Sequence, residues 1–188
     1  DGAAAARFQW PGGLVAAPGG LAYVIDATGL RRLDLGTGAV ETVLPLSSTA
    51  RAAAADEGSL WLALTRGYSA VDVYRPAGGA LGPAIVVSPV EPSRSVDGGP
   101  GVAVIKGSYP YLSVAAAADG QLAFGDGRRV GLVSADGVVR TLAGSPRLPD
   151  SVNDAYGYSV AMRRGQLLAG APRAHLAFAP PEHTGAAT

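Results

Sequence analysis

Cysteine is absent from this 188-residue chain. That excludes disulfides, thiolate metal sites and cysteine nucleophiles. Charge is scarce and balanced: 15 basic and 15 acidic side chains, 16% of residues against a usual share of about 25%. Zero net charge provides no electrostatic footprint for nucleic acid or an anionic membrane. Lys106 is the only lysine and Asn153 the only asparagine. The arginine-for-lysine bias reads as the codon usage of a GC-rich genome, so each arginine need not have been selected for bidentate chemistry. Apolar runs stop far short of the ~20 residues that a membrane helix needs. No secretory leader is read at Asp1-Gly2, and the localisation expectation is extracellular or cell-surface.

Helical periodicity is nearly absent too. The alanine runs 3–6, 52–55 and 115–118 are each too short to nucleate a helix alone. What the chain does have is glycine, 27 residues, and proline, 14, punctuating apolar runs of four to seven residues. Short strands with frequent glycine turns point to an all-β fold.

A Gly-x-Leu unit opens an apolar strand four times, at Gly19, Gly58, Gly120 and Gly165. Before each lies a small-residue strand: Leu14–Ala17, Arg51–Ala55, Leu112–Ala116 and Tyr158–Met162. Small side chains suit the crowded innermost strands of a propeller. After the first and third units the chain reaches an arginine-bearing strand, a Thr37-Gly38 or Asp136-Gly137 turn and a β-rich outer strand. Four antiparallel strands in about 40 residues is the size of one blade.

In element order the chain resembles the NHL-repeat family of β-propellers. The residues that carry the likeness are Ala6-Arg7-Phe8, Pro11-Gly12-Gly13-Leu14, Leu21–Asp26, Leu30–Asp34, Gly38–Val43 and the finish Val139-Arg140-Thr141-Leu142-Ala143-Gly144. The expected blades are 8–46, 50–88, 108–145 and a partial fourth, 156–178, with a loop insertion at 88–107 and an extended tail at 179–188. Ser88–Pro100 is expected to lie outside the blade ladders, because proline cannot donate to one. The second unit departs from the pattern at Thr65-Arg66-Gly67-Tyr68. Such propellers usually close with about six blades. The expectation is therefore a segment of a larger propeller, completed by further blades or by another chain. A second resemblance, to the FG-GAP repeat of integrin-type propellers, rests on Asp154–Ala161 and Gly170-Ala171-Pro172. Its calcium loop would fall on Met162–Gln166, which holds no carboxylate.

The NHL resemblance implies a non-catalytic structural or protein-interaction module within a larger multidomain or extracellular assembly. Its partners are proteins or further blades, with no nucleic acid, membrane insertion or small-molecule substrate evident. The alternatives are a metal-dependent propeller lyase or lactonase with ligands in other blades, and an FG-GAP-like calcium-binding propeller. His175 and His183 have no histidine partner in earlier blades. Asp26, Asp56, Asp119 and Asp126 sit at hairpin turns, where aspartate bonds nearby backbone. There is no Gly-x-Ser-x-Gly elbow and no phosphate loop. No catalytic residue, metal ligand or cofactor is therefore expected. Neighbouring strand residues face opposite sides, so each arginine pair sends one side chain to each face. Pairing of such arginines with turn aspartates is the expected structural role. Protein-contact candidates are Arg31, Arg32, Arg128 and Arg129, with Tyr68 and Tyr109 beside loops. Trp10, Trp61 and the remaining tyrosines read as core or inter-blade packing.

Overall fold

The computed structural model describes residues 6–46, 50–56, 59–66, 70–76, 80, 82–89, 94–107, 112–116, 120–144, 159–163 and 166–170. Strand β1 (Gly13–Ala17) pairs with β2 (Leu21–Asp26), β2 with β3 (Gly29–Asp34) and β3 with β4 (Val40–Pro45), all antiparallel. The second sheet runs β5 (Ala50–Asp56), β6 (Ser59–Arg66), β7 (Ala70–Tyr74) and β8 (Ile105–Lys106). The third runs β9 (Ser113–Ala116), β10 (Leu122–Gly125), β11 (Arg129–Val133) and β12 (Val139–Gly144). In the last repeat β13 (Ser159–Arg163) pairs with β14 (Gln166–Gly170). Bulges fall at equivalent places, Leu30/Arg31 in β3 and Val130/Gly131 in β11, so the first and third repeats share a local irregularity as well as a strand order.

The sheets are arranged radially. Inner strand β1 packs against β5, β5 against β9 and β9 against β13. The second strand of each sheet also reaches the inner strand of the next: β2 meets β5, β6 meets β9 and β10 meets β13. Meander sheets stacked face to face with their first strands gathered inward are the blades of a β-propeller. The alanine-rich segments form these inner strands, where backbones approach most closely.

Alternation within each strand builds the seams between blades. In the first seam Ile25, Leu30, Leu44 and Leu46 meet Leu62 and Leu64. The opposite face of the second sheet, with Trp61, Val71, Val73 and Ile105, meets Leu122, Phe124, Val133 and Val139. Ala123 and Leu132 then receive Leu167 of the last repeat. Gly131 is required in this packing: a Cβ there would stand 2.5 Å from Phe124 Cζ, its cross-strand partner, and 2.8 Å from the Arg140 carbonyl oxygen.

The second blade differs from the expected boundaries. Val86 makes one bridge to Val73, and the chain then leaves the ladder. It returns as β8, which pairs Ile105 with Val71 and Lys106 with Ala70. The outer strand position is thus filled by two separate pieces, and β8 lies inside the segment expected to be insertion. No regular strand passes through Pro89 or Pro100, and Val96 and Gly98 make only isolated bridges. The calcium-loop comparison at 162–166 and both histidines involve positions beyond the described residues.

Candidate functional site

Two constellations stand out, one polar and buried, the other aromatic and exposed. The polar one is built where the 87–104 excursion crosses the seam between the second and third blades. Ser88 anchors its start. The Ser88 backbone N–H donates to Asp72 Oδ1 at 2.9 Å, and its hydroxyl donates to the Val71 carbonyl at 2.7 Å. The same hydroxyl accepts the Ile105 N–H at 2.9 Å. One serine oxygen therefore stands in for a ladder partner at the gap in the outer strand.

Arg129 is the hub. Its side chain is wholly buried. Nε donates to Asp126 Oδ2 at 2.9 Å, Nη1 to Asp97 Oδ1 and to Thr141 Oγ1, and Nη2 to the Val104 carbonyl at 3.1 Å. The guanidinium stacks over Phe124, 5.0 Å from the ring centroid. Asp126 also accepts the backbone N–H groups of Arg128 and Arg129 and the Ser95 hydroxyl. Asp97 accepts the Thr141 N–H at 2.7 Å on the edge of β12, beside the Gly98–Val139 bridge. A buried guanidinium bonded to two carboxylates, a hydroxyl and a carbonyl ties the excursion to the third blade. Four of its five N–H donors are engaged in this way.

The first blade carries a simpler version. Asp26 Oδ1 accepts Thr28 N–H at 2.8 Å, the Thr28 hydroxyl at 2.7 Å and Gly29 N–H, while Oδ2 lies 3.4 Å from Arg31 Nη1. Burial pushes the Asp26 carboxyl up, but the Thr28 hydroxyl and N–H, the nearby Gln9 backbone and the Arg31 charge together bring it below its ordinary value. Arg31 stacks on Phe8, 5.7 Å from the centroid. Of the sequence-selected residues, Arg31 and Arg129 are buried and paired with turn aspartates. Arg32 stays at the surface beside Glu41, 2.7 Å away. Arg128 is half-buried at the Asp126 turn. Tyr68 and Tyr109 lie outside the described residues. Among the described residues no three His, Asp or Glu side chains gather as a metal site.

The exposed constellation corrects the reading of the tryptophans. Trp61 is fully buried in the second seam, with Arg75 stacked 5.4 Å from its ring. Trp10 is 83% exposed and packs in no seam. Its φ is +55°, the left-handed region that a bulky residue rarely adopts. The neighbours hold it there. The Gln9 carbonyl accepts Ala27 N–H and Gly12 N–H donates to the Ile25 carbonyl, both at 2.8 Å. Two backbone bonds to the end of β2 thus bracket a turn that points the indole outward. The signal legible in sequence was only Trp10-Pro11-Gly12-Gly13, a turn composition that says nothing of exposure.

No family model matches the chain, and no curated protein matches it. Solved structures do. A structural-genomics protein of unknown function from Bacteroides thetaiotaomicron superposes with a TM-score of 0.50 at 15% identity, over 86% of this chain and 38% of that one. A streptogramin B lyase structure gives 0.49 at 12% identity, over 88% of this chain and 55% of that one. BamB from Moraxella catarrhalis gives 0.27 at 12% identity, over 87% and 80%. The chain thus spans about two fifths of the first of these and just over half of the second. At such identities likeness extends to the fold alone, and the fold, by its radial four-stranded sheets, is that of a β-propeller.

Proposed function

We propose that the chain is a non-catalytic propeller module of NHL type that engages another protein through the arm carrying Trp10. The observation that carries this reading is an indole 83% exposed at φ +55°. A non-glycine residue in that region costs about 1–3 kcal/mol and persists where surrounding structure enforces it, typically at functional positions. Exposed tryptophan is also a residue type that dominates interface energetics, because one rigid side chain supplies a large apolar area and an N–H donor. Phe8, partly exposed under the Arg31 guanidinium, extends the same arm. The paired charges of the blades support the non-catalytic half of the proposal, since Asp26 is engaged by Arg31 and the Thr28 backbone, and Asp126 by Arg129 and its backbone.

Peptide display on the immobilised chain tests it. Selected ligands are expected to lose at least tenfold in affinity on Trp10→Ala. Trp10→Gly, which suits the positive φ, is expected to lose them equally while keeping or raising the urea midpoint. Ligands that bind both variants as well as the parent overturn the assignment of the arm. Stoichiometric Zn²⁺ or Ca²⁺ retained by the purified chain overturns the non-catalytic reading in favour of a metal-dependent propeller.

A further inference from the structure

Asp97 and Gly98 form a dipeptide with a chemistry of its own. An aspartate followed by glycine can close on itself, because no side chain on the second residue hinders the approach of its nitrogen to the aspartyl carboxyl carbon. Among the described residues the pair occurs at Asp97-Gly98, Asp126-Gly127 and Asp136-Gly137. Asp126 is sealed in the seam, its side chain 1% exposed. Asp136 is held within its own hairpin turn, where the Ser134 hydroxyl donates to its carboxylate and the Gly137 N–H donates to the Ser134 carbonyl at 2.9 Å. Asp97 differs from both. Its side chain is 38% exposed, so water reaches it, yet both reacting groups are fastened to a different blade. The Gly98 N–H, whose nitrogen is the nucleophile, donates to the Val139 carbonyl at 3.0 Å. The Asp97 carboxylate accepts the Thr141 N–H at 2.7 Å, the Thr141 hydroxyl at 3.0 Å and Arg129 Nη1. The outer edge of β12 thus holds the nucleophile and the carboxyl on separate residues. Glycine is fixed at this place, with φ at +157° and a Cβ that would stand 2.9 Å from Val102 Cγ1. The packing that seats the excursion therefore also requires the reactive pair.

We propose that Asp97-Gly98 is a site of spontaneous isoaspartate formation, gated by docking of the excursion on β12. When the excursion lifts, the Gly98 nitrogen attacks Asp97 Cγ. A C–N bond forms, and one carboxyl oxygen leaves as water with the nitrogen's proton and a second proton from solvent. The product is a five-membered succinimide. Water then adds back and breaks one of its two C–N bonds. Breaking the new bond restores aspartate. Breaking the old one leaves the main chain running through Cβ and Cγ, an isoaspartate, with no net change of atoms and nothing oxidised or reduced. That chain is longer by one carbon, and its free carboxylate sits directly on Cα. It cannot place Gly98 on Val139 and a carboxylate on Thr141 at once, so the modification releases the excursion from the third blade. The inference rests on this clamp and not on the Trp10 arm, and holds whether or not that arm binds a partner.

Ageing of the intact chain tests this, with Asp136-Gly137 as a reference carried by the same molecule. The parent and Thr141→Val are kept folded near neutral pH, beside the parent unfolded in urea. Isoaspartate at each dipeptide is counted by peptide mapping, since an aspartate-specific protease does not cut before it. Asp97 is expected to convert roughly tenfold or more slowly in the folded parent than in the unfolded chain. Thr141→Val removes one hydroxyl from the clamp and keeps a β-branched strand residue. It is expected to speed Asp97 about threefold or more and to leave Asp136 unchanged. The aged chain carrying isoaspartate at 97, separated by ion exchange, is expected to exchange its Val139 and Thr141 amide hydrogens roughly tenfold faster than the parent, because their acceptors are the Gly98 carbonyl and the Asp97 carboxylate. A parent aged until Asp136 has converted, with no isoaspartate at Asp97, overturns the site. Conversion at Asp97 as fast in the folded chain as in urea overturns the gating. So does a Thr141→Val that leaves Asp97 unmoved, or one that moves Asp136 as much, which indicates opening of the whole molecule. Unaltered exchange at Thr141 in the modified chain overturns the release. The comparison of folded with unfolded parent and the exchange measurement need no variant, so a misfolded Thr141→Val cannot shelter the inference.

Discussion

Arg129→Met removes the buried guanidinium while filling much of its stem volume, which isolates the electrostatic part of the seam between the second and third blades. Asp97 has a side chain 38% exposed and can turn to water, so losing its partner costs it little. Asp126 has no such escape, with a side chain 1% exposed. It keeps Ser95 and two backbone N–H groups but loses the Arg129 guanidinium. Removing one partner of a buried pair costs about 3–5 kcal/mol, chiefly as the stranded charge. That is a large share of the roughly 5–15 kcal/mol that holds a typical domain together. The diagnostic is the second substitution. Asp126→Asn alone breaks its ionic bond to Arg129 and is expected to cost about 1–3 kcal/mol. Added to Arg129→Met, it removes the stranded charge and is expected to recover stability, so its effect changes sign between the two backgrounds and the coupling exceeds the cost of Asp126→Asn alone. Urea unfolding followed by far-ultraviolet circular dichroism and by the fluorescence of buried Trp61 measures all four corners. Additive costs, or a loss under about 1 kcal/mol for Arg129→Met, would refute the reasoning, because the seam would then owe its stability to packing alone.

Two further outcomes follow from other residues. Ser88→Ala leaves the buried Ile105 N–H without its acceptor and is expected to cost about 1–3 kcal/mol, with amide exchange accelerating first at Ile105 and Lys106. Asp26 is held below its ordinary carboxyl value, so it stabilises the fold above the unfolded-state value of 3.8 and loses that contribution as pH falls through the lower folded-state value. Asp26→Asn is expected to flatten the acid side of the stability–pH profile below about pH 4 while leaving its slope near neutrality unchanged, as read by thermal melts across pH 2–7.

Much of the architecture was legible because it is repeated locally. The alanine-rich strands announce crowding at the axis, and the Gly-x-Leu units open the second strand of each blade. The division of the arginine pairs was also legible. Strand alternation sends Arg31 to the Asp26 turn and Arg32 to Glu41 on the surface. The polar seam was not. Ser95 reaches Asp126 across 31 positions and Asp97 reaches Thr141 across 44. No periodicity links such residues, and the Pro/Gly/Ser composition of the excursion advertises a loop while concealing its anchors. The second blade was misplaced for the same reason, since Val86-Val87 reads as an outer strand but only Val86 reaches β7. Trp10 was misjudged because composition favours burying tryptophan, whereas two backbone bonds made by its neighbours decide otherwise.

The divided outer strand of the second blade alters how the molecule comes together. In an ordinary repeat array each unit completes itself before touching the next, and unfolding approximates a sum of units and nearest-neighbour terms. Here β8 is supplied only after the chain has crossed to the third blade and been fastened there by Asp97, Ser95 and Gly98. The second blade cannot finish its hydrogen bonding until the third exists to hold the excursion, and the edge of β12 stays uncapped until the excursion arrives. These two repeats therefore form a single cooperative unit that opens and closes together, with loop closure over distant positions slowing its formation. The first and third sheets each take four strands in unbroken succession, so among the described four-stranded sheets only the second waits for a strand delivered from a distance.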